Sequence, residues 1–454
     1  MFPENIFKAY DIRGIYPEEL NEDIAYKVGR AFTFLRQQEL NKKDIKIVVG
    51  HDMRLSSPDL FDSLCRGVVE QGGEAVDVGL VSTPTFYFSV AFFRYDGGVL
   101  VTASHNPKEY NGLKLVREGA KPVGKGMGME ELTELVKKEV FGQVITGGKI
   151  TKHQDVAVEE IGYLEKWGDF SIIKPFKIVI DTANSMGITY LENFFSNLPQ
   201  VELIKMNEEL DGSFPSHPAD PFQVENTKDL CERVISEKAD LGIATDGDGD
   251  RIFFVDNEGV LVEPAMVRGI MARIFLRKNP GAIICYDIRP GKITEDLILE
   301  NGGRPSVTRV GHSLIKEQMI KTGAVFGGES SGHFFVRFPF GVFEAPMIVL
   351  LKLLEELSLS GLTMSQYIKP LKRYFHSGEI NYRVENKEEI LGKLKEKYRD
   401  AELSELDGLT FTYKDWWFNV RVSNTESLLR LNLEARTADL VPEKVKEIEL
   451  IINS

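Results

Sequence analysis

Asp246, Asp248 and Asp250 alternate with glycine in the run DGDGDR, which ends in Arg251. Glycine lets the backbone turn sharply enough for three carboxylates to converge on one cation, and hard oxygen ligands of this kind suit Mg²⁺. An EF-hand loop would need glycine where Arg251 stands and glutamate where Asn257 stands, so that reading fails. Arg251, beside the carboxylates, is placed to hold an anion. A second stretch, VTASHNP from Val101 to Pro107, offers a nucleophile. Small residues around Ser104 leave its hydroxyl room to meet another molecule, and the proline keeps Asn106 extended. A serine and a divalent cation in one site are the parts of phosphoryl transfer, because the cation neutralises phosphate charge and polarises phosphorus. Ser104 is therefore the candidate covalent phosphate carrier.

Two further loops carry recognition chemistry. In GGESSGH, Glu329 and Ser331 stand two residues apart, can point the same way, and would hydrogen-bond vicinal hydroxyls of a sugar; His333 closes the run. His312, in RVGH, is a second imidazole expected at a strand end. RVSNTE brings Arg421, Ser423, Asn424 and Thr425 into one turn, where amides, hydroxyls and a guanidinium fork cradle phosphate. Gly119, Gly124 and Lys125 imitate a P-loop, but Gly126 occupies the position of the metal-binding Ser or Thr, so this is a glycine-rich loop.

The elements that must position these loops repeat along the chain. Apolar runs at 45–49, 178–180 and 283–285 each end near an aspartate: Asp52, Asp181 and Asp287. Later apolar runs at 99–101, 241–244 and 324–326 each end in a polar, Gly- or Ser-rich loop, the ones holding Ser104, Asp246 and Glu329. Helices are predicted over 21–38, where apolar residues recur at helical spacing, and over 57–69, 84–93, 159–167, 227–237 and 293–300. The segment KAYDIRG, residues 8–14, reads as compact and polar. Strands alternating with helices indicate α/β layers, and sites in such sheets lie at the carboxyl ends of strands. From about Tyr367 the pattern changes. A helix at 390–397, strands at 409–413, 416–422 and 428–433, and a closing helix from Val441 predict an α+β domain. The expected division is 1–150, 151–255, 256–367 and 368–454.

Composition bounds the class. The 454 residues are too many for one core, and the balance of apolar and charged residues is that of a soluble protein. A net charge of −14 argues against nucleic acid as a partner and demands local positive charge wherever a phosphate binds. There is no apolar run of membrane-spanning length and no signal-peptide pattern. Cys65, Cys231 and Cys285 lie far apart and form no CxxC, so they are expected as buried free thiols of a reducing compartment, which points to the cytoplasm.

Taken together, KAYDIRG, GHDMRLSSP, TASHNP with YNGLK, DGDGDR, RVGH, GGESSGH and RVSNTE, in this order, resemble the α-D-phosphohexomutase family and, within it, the phosphomannomutase/phosphoglucomutase group. The resemblance covers the whole chain. It implies three related α/β domains and a fourth, TATA-binding-protein-like domain around a central cleft. It implies a phosphoserine at Ser104, with Mg²⁺ held by Asp246, Asp248, Asp250 and the Ser104 phosphate. Glu329 and Ser331 would read the sugar hydroxyls. Arg421, Ser423, Asn424 and Thr425 would hold the phosphate not being transferred, with Arg289 and Arg430 also gripping substrate. Arg13, Lys114, Arg251, His312 and His333 would stabilise charge or carry protons.

The implied reaction interconverts hexose 1-phosphate and hexose 6-phosphate, of mannose or glucose, through a hexose 1,6-bisphosphate that also activates the enzyme. A monomer or homodimer is expected. Phosphoglucosamine mutase is the sister alternative, and a Mg²⁺-dependent sugar phosphatase a third. Two positions depart from the group's pattern: His51 stands where a second arginine is expected, and Ser427 where many members have proline.

Overall fold

The computed structural model describes residues 2–289, 291–384, 386–422 and 428–453. The chain forms two compact units, one running to Val262 and taking up Ser331–Ser365, the other Glu263–Ser330 with Gln366 onward.

The first unit contains two sheets. In the N-terminal one the strand order is Ile12–Ile15, Tyr110–Arg117, Gly97–Val101, Lys46–His51, Glu74–Leu80, Lys149–Lys152. Lys46–His51 runs parallel to both its neighbours, while Tyr110–Arg117 is antiparallel to the strands on either side. Gly97–Val101 is buried throughout, as its unbroken apolar run requires. The second sheet repeats this plan. Lys177–Asp181 is parallel to Glu202–Met206 and Leu241–Thr245, and Ile252–Asp256 returns antiparallel beside Leu241–Thr245. The repeat read from apolar runs is thus a repeat of sheet order.

The helix expected at 21–38 is Glu22–Leu40, capped by Asn21, whose side chain accepts the Ile24 amide at 3.2 Å. It packs on Ser57–Glu70 through two glycines. A Cβ on Gly67 would lie 2.2 Å from the Tyr26 carbonyl, and one on Gly29 would lie 2.4 Å from that of Leu64, so side chains there would force the helices apart. KAYDIRG is not simply a compact polar turn. Its end forms the edge strand Ile12–Ile15, whose partner lies about a hundred residues on and leaves no local signal.

In the second unit Ile283–Asp287 is parallel to Arg304–Thr308 and Phe326–Gly328. The C-terminal sheet is wholly antiparallel, in the order Phe375–Arg383, Leu428–Ala435, Trp416–Val422, Leu409–Thr412, Glu402–Ser404. Helices Lys387–Lys397 and Leu440–Ile452 supply Leu394, Ile448 and Ile452 to the same core as Phe418, Val420, Leu429, Leu431 and Leu433. The alternate residues Trp417, Asn419, Arg421, Arg430, Asn432 and Glu434 therefore lie on the other, polar face. All three cysteines are free, but Cys231 is only half buried, because its helix contributes just Leu230 and Val234 to the interior. Among the described residues no helix is long and apolar enough to cross a membrane.

Candidate active site

Ser104 follows the buried strand Gly97–Val101 and sits at φ 51°, a left-handed conformation that a serine adopts only under constraint. The constraints are visible. Its amide donates to Thr102 Oγ1 at 3.0 Å, and its hydroxyl donates to Asp246 Oδ2 at 2.9 Å across 142 residues of sequence. Its carbonyl accepts from Arg54 Nη2 at 2.8 Å. Arg54 also donates to the carbonyls of Asn106, Pro107 and Tyr110 at 2.6–2.9 Å, so one buried guanidinium ties together the whole serine loop. Asp52 balances its charge at 3.3 Å and is itself held by Ser57 Oγ at 2.6 Å. Arg13 joins the loop from the edge strand, donating to Asn106 Oδ1 at 2.6 Å and pairing with Asp11. His51, in the place of the expected arginine, packs its ring edge-on against Phe61.

The aspartate loop meets this serine loop because Gly247 has no side chain; a Cβ there would lie 2.2 Å from the Ser104 carbonyl oxygen. Asp246, Asp248 and Asp250 are fully buried and offer carboxylate oxygens all within 4.8 Å of one another. Lys114, from the strand beside Ser104, lies 2.5 Å from both Asp248 Oδ2 and Asp250 Oδ2. Thr83 secures the loop from the first turn of helix Thr83–Phe92, its hydroxyl donating to Asp248 Oδ2 at 2.5 Å and its amide to the Asp248 carbonyl at 2.9 Å.

Burial, then the charges of Asp250 and Asp248, push the Asp246 carboxyl well above the usual carboxylate range. Burial also opposes charge on Asp248, but Lys114 and Thr83 outweigh it and hold that carboxyl low. Three acids facing Lys114 and, at Asp246, Arg251 leave the cluster short of positive charge, and among the described residues Asp248 Oδ1 and Asp250 Oδ1 are buried without a hydrogen-bond partner. This all-oxygen, electron-rich donor set fits a hard divalent cation.

Arg251 and His333 complete the first unit's cluster. Arg251 Nε donates to His333 Nε2 at 3.1 Å, which leaves the imidazole proton on Nδ1, 3.3 Å from Asp250 Oδ1. The Arg251 guanidinium also lies 3.5 Å from Asp220 and 3.6 Å from Asp246. His105, whose Nδ1 is 3.3 Å from Ser104 Oγ, is kept neutral: the Arg251 charge, then burial, hold its pKa well below the ordinary value.

In the second unit, Arg289 donates to Asp287 Oδ2 at 2.6 Å and lies 3.1 Å from Glu329 Oε1, an oxygen that also accepts the Gly311 amide at 2.9 Å. His312 is not at a strand end. The strand Arg304–Thr308 stops earlier, and His312 opens helix His312–Thr322 with Gly311 as its cap. Arg421 and Arg430 are direct cross-strand partners, both paired with Glu379. Ser331 is buried in the first unit. Ser423, Asn424 and Thr425 lie outside the described residues, as does Ser427.

Four family models match consecutive parts of the chain. They are the phosphoglucomutase/phosphomannomutase alpha/beta/alpha domains I, II and III, over residues 4–143, 162–259 and 264–374, and the C-terminal domain over 379–450. A phosphomannomutase of Vibrio cholerae is 39% identical, with 98% of each chain covered. The chain belongs to the phosphoglucomutase/phosphomannomutase family. A phosphomannomutase of Methanocaldococcus jannaschii is 37% identical over 98% of this chain and 97% of its own. A crystal structure of a phosphoglucomutase/phosphomannomutase family protein from Burkholderia thailandensis superposes with a TM-score of 0.88 at 31% identity, covering 99% of this chain and 97% of that one.

Within this family member, Ser104, Lys114, the three aspartates, Arg251, His333 and Arg13 form one cluster in the first unit. Arg289 with Glu329, and Arg421 with Arg430, form two smaller groups in the second. Sequence reasoning gave no role to Arg54, Thr83, His105 or Glu379. The Ser82-Thr83-Pro84 run does signal a helix start, but its contact with Asp248 is set by the docking of two sheets.

Proposed function

We propose that this phosphohexomutase interconverts the 1- and 6-phosphates of mannose and glucose through a phosphorylated Ser104. The hydrogen bond from Ser104 Oγ to Asp246, one of three buried carboxylates, carries the reading, because it sets a nucleophile against a cation site. Mg²⁺ held by Asp246, Asp248, Asp250 and the Ser104 phosphate would neutralise phosphate charge. In the forward half-reaction the P–O bond to Ser104 breaks as a new one forms to the free hydroxyl of the sugar phosphate, whose proton passes in net to the Ser104 oxygen, giving a hexose 1,6-bisphosphate. In the second half-reaction the other phosphate returns to Ser104.

The chain's own residues position these groups. Arg54 fixes the serine loop. Lys114, anchored by Asp248 and Asp250, and Arg251, anchored by His333, present positive charge beside the transferring group. Glu329 and Ser331 bind sugar hydroxyls, while Arg289, Arg421, Ser423, Asn424, Thr425 and Arg430 take the phosphate at rest. Arg13 and His312 complete the charge-stabilising set. The domain division is that given by the sequence, at about residues 150, 255 and 367. Three free cysteines agree with a cytoplasmic setting, and the enzyme acts as a monomer or homodimer.

The test is ³¹P NMR of the purified protein with Mg²⁺ and a catalytic amount of glucose 1,6-bisphosphate. Mannose 1-phosphate, glucose 1-phosphate and glucosamine 1-phosphate are followed in parallel, with Ser104→Ala as control. Conversion of the first two to 6-phosphates, lost in the variant, is expected. Turnover of the glucosamine phosphate alone would move the protein to the sister group. Inorganic phosphate as the main product would make it a phosphatase.

A further inference from the structure

On the polar face of the C-terminal sheet, Arg421 and Arg430 are directly opposed across neighbouring strands. Two like charges so placed repel. Glu379 answers both: Arg421 Nη2 donates to its Oε2 at 2.7 Å, Arg430 Nη1 lies 3.3 Å from its Oε1, and Asn432 Nδ2 is 3.4 Å from Oε2. Each carboxylate oxygen thus serves one arginine, as an oxyanion ligand would.

The backbone is built to deliver this contact. The edge strand pairs His376 with Glu434 and then, after a register shift, Glu379 with Asn432. The extra residue is taken up around Gly378, at φ 69°. Without that bulge Gly378 would face Asn432, and Glu379 would turn toward the helices. Burial opposes the charge on Glu379, but the two arginines hold its carboxyl below the usual range. Their capacity is not exhausted, since both Nε atoms are buried with no hydrogen-bond partner among the described residues.

We infer that Glu379 is a resident counter-ion of the phosphate grip, keeping Arg421 and Arg430 side by side and weakening their hold so that the phosphate releases between half-reactions. This rests on the reading that these arginines, with the loop at 423–425, hold the phosphate not being transferred. The reaction gives the inference its point. Each phosphate of the bisphosphate must occupy this end in turn, so a grip that held too tightly would lower KM and stall turnover. A carboxylate that repels the dianion while aligning its ligands supplies the needed balance.

The experiment measures glucose 1-phosphate binding by calorimetry to full-length Ser104→Ala protein, which cannot turn over. Adding Glu379→Gln, which keeps an acceptor for the arginines but removes the charge, should tighten Kd about fivefold, less than one charge–charge contact at full strength. The gain should shrink between about 50 and 300 mM KCl. With Ser104 intact, Glu379→Gln should lower both KM and kcat. Glu379→Ala also removes the acceptor that aligns the arginines, so it should tighten Kd less than Glu379→Gln does. An unchanged or weakened Kd in Glu379→Gln overturns the inference, because a purely structural role cannot tighten binding. Arg421→Ala separates the two claims. If it binds glucose 1-phosphate like its parent, the phosphate-grip reading fails; if it weakens binding while Glu379→Gln does not tighten it, only the counter-ion role fails.

Discussion

Arg54→Met should damage both the stability and the activity of this enzyme. The guanidinium donates to the carbonyls of Ser104, Asn106, Pro107 and Tyr110 and neutralises Asp52, and both charged side chains are fully buried. Methionine fills much of the same space but leaves a buried carboxylate without its counter-charge, a loss of about 3–5 kcal/mol. For a unit of this size that is a fall of roughly 6–20 °C in the first thermal transition. Four carbonyls also lose their common donor, and the loop that holds Ser104 at a left-handed φ is freed to relax. A displacement of about 1 Å at the proposed nucleophile would cost on the order of 100-fold in kcat.

Differential scanning fluorimetry and a coupled hexose 6-phosphate assay read the two effects separately. The second-site change Asp52→Asn makes the test sharper. In the Arg54→Met background it removes the orphaned charge, so it should restore much of the melting temperature. It cannot restore the rate, because the carbonyls still lack their donor. Retention of the parent melting point within about 2 °C, which corresponds to roughly 1 kcal/mol or less, together with near-parent kcat, would refute the account.

Two further changes follow from the same geometry. Gly247→Ala places a methyl where the Ser104 carbonyl oxygen lies at 2.2 Å, so the serine and aspartate loops must separate; kcat should fall about 100-fold or more, and a near-parent rate would show that the loops do not depend on this contact. Glu160, buried on helix Val156–Leu164, is raised by burial to about 7 from an ordinary 4.5. The folded protein therefore binds this proton more tightly than the unfolded chain. Stability from this group is greatest below about pH 4.5, falls as pH rises toward 7, and stays reduced above it, by up to about 3 kcal/mol. Glu160→Gln should melt close to the parent at pH 5 and above it at pH 8, and equal melting at pH 8 would count against the buried charge.

What the sequence shows and what it conceals divide along a physical line. Apolar runs ending in Asp, Gly or Ser are local, and they located Ser104, Asp246 and Glu329 at the ends of strands. Two of those strands hold equivalent places in the same sheet order. The edge strand Ile12–Ile15, the Thr83 hydroxyl on Asp248 and the bulge that turns Glu379 toward two arginines depend on partners far away in sequence. No window of neighbouring residues encodes them. His312 shows the limit from the other side: Arg309-Val310-Gly311 looks like the end of a strand, yet Gly311, at φ 138°, caps a helix that begins at His312.

Ser104 combines both kinds of information. Its loop is legible because Asn-Pro stops a buried strand, but the conformation of the serine itself is not, since an isolated chain would avoid φ 51°. It is held there by bonds to Thr102 within its own loop, from Arg54 near the neighbouring strand and to Asp246 in the second sheet. The strained conformation of Ser104 therefore exists only while the serine and aspartate loops are in register. With Ser104 as the proposed phosphate carrier, docking of the two α/β sheets becomes a condition for phosphoryl transfer, and a change that loosens it without touching Ser104 should lower kcat before it lowers substrate affinity.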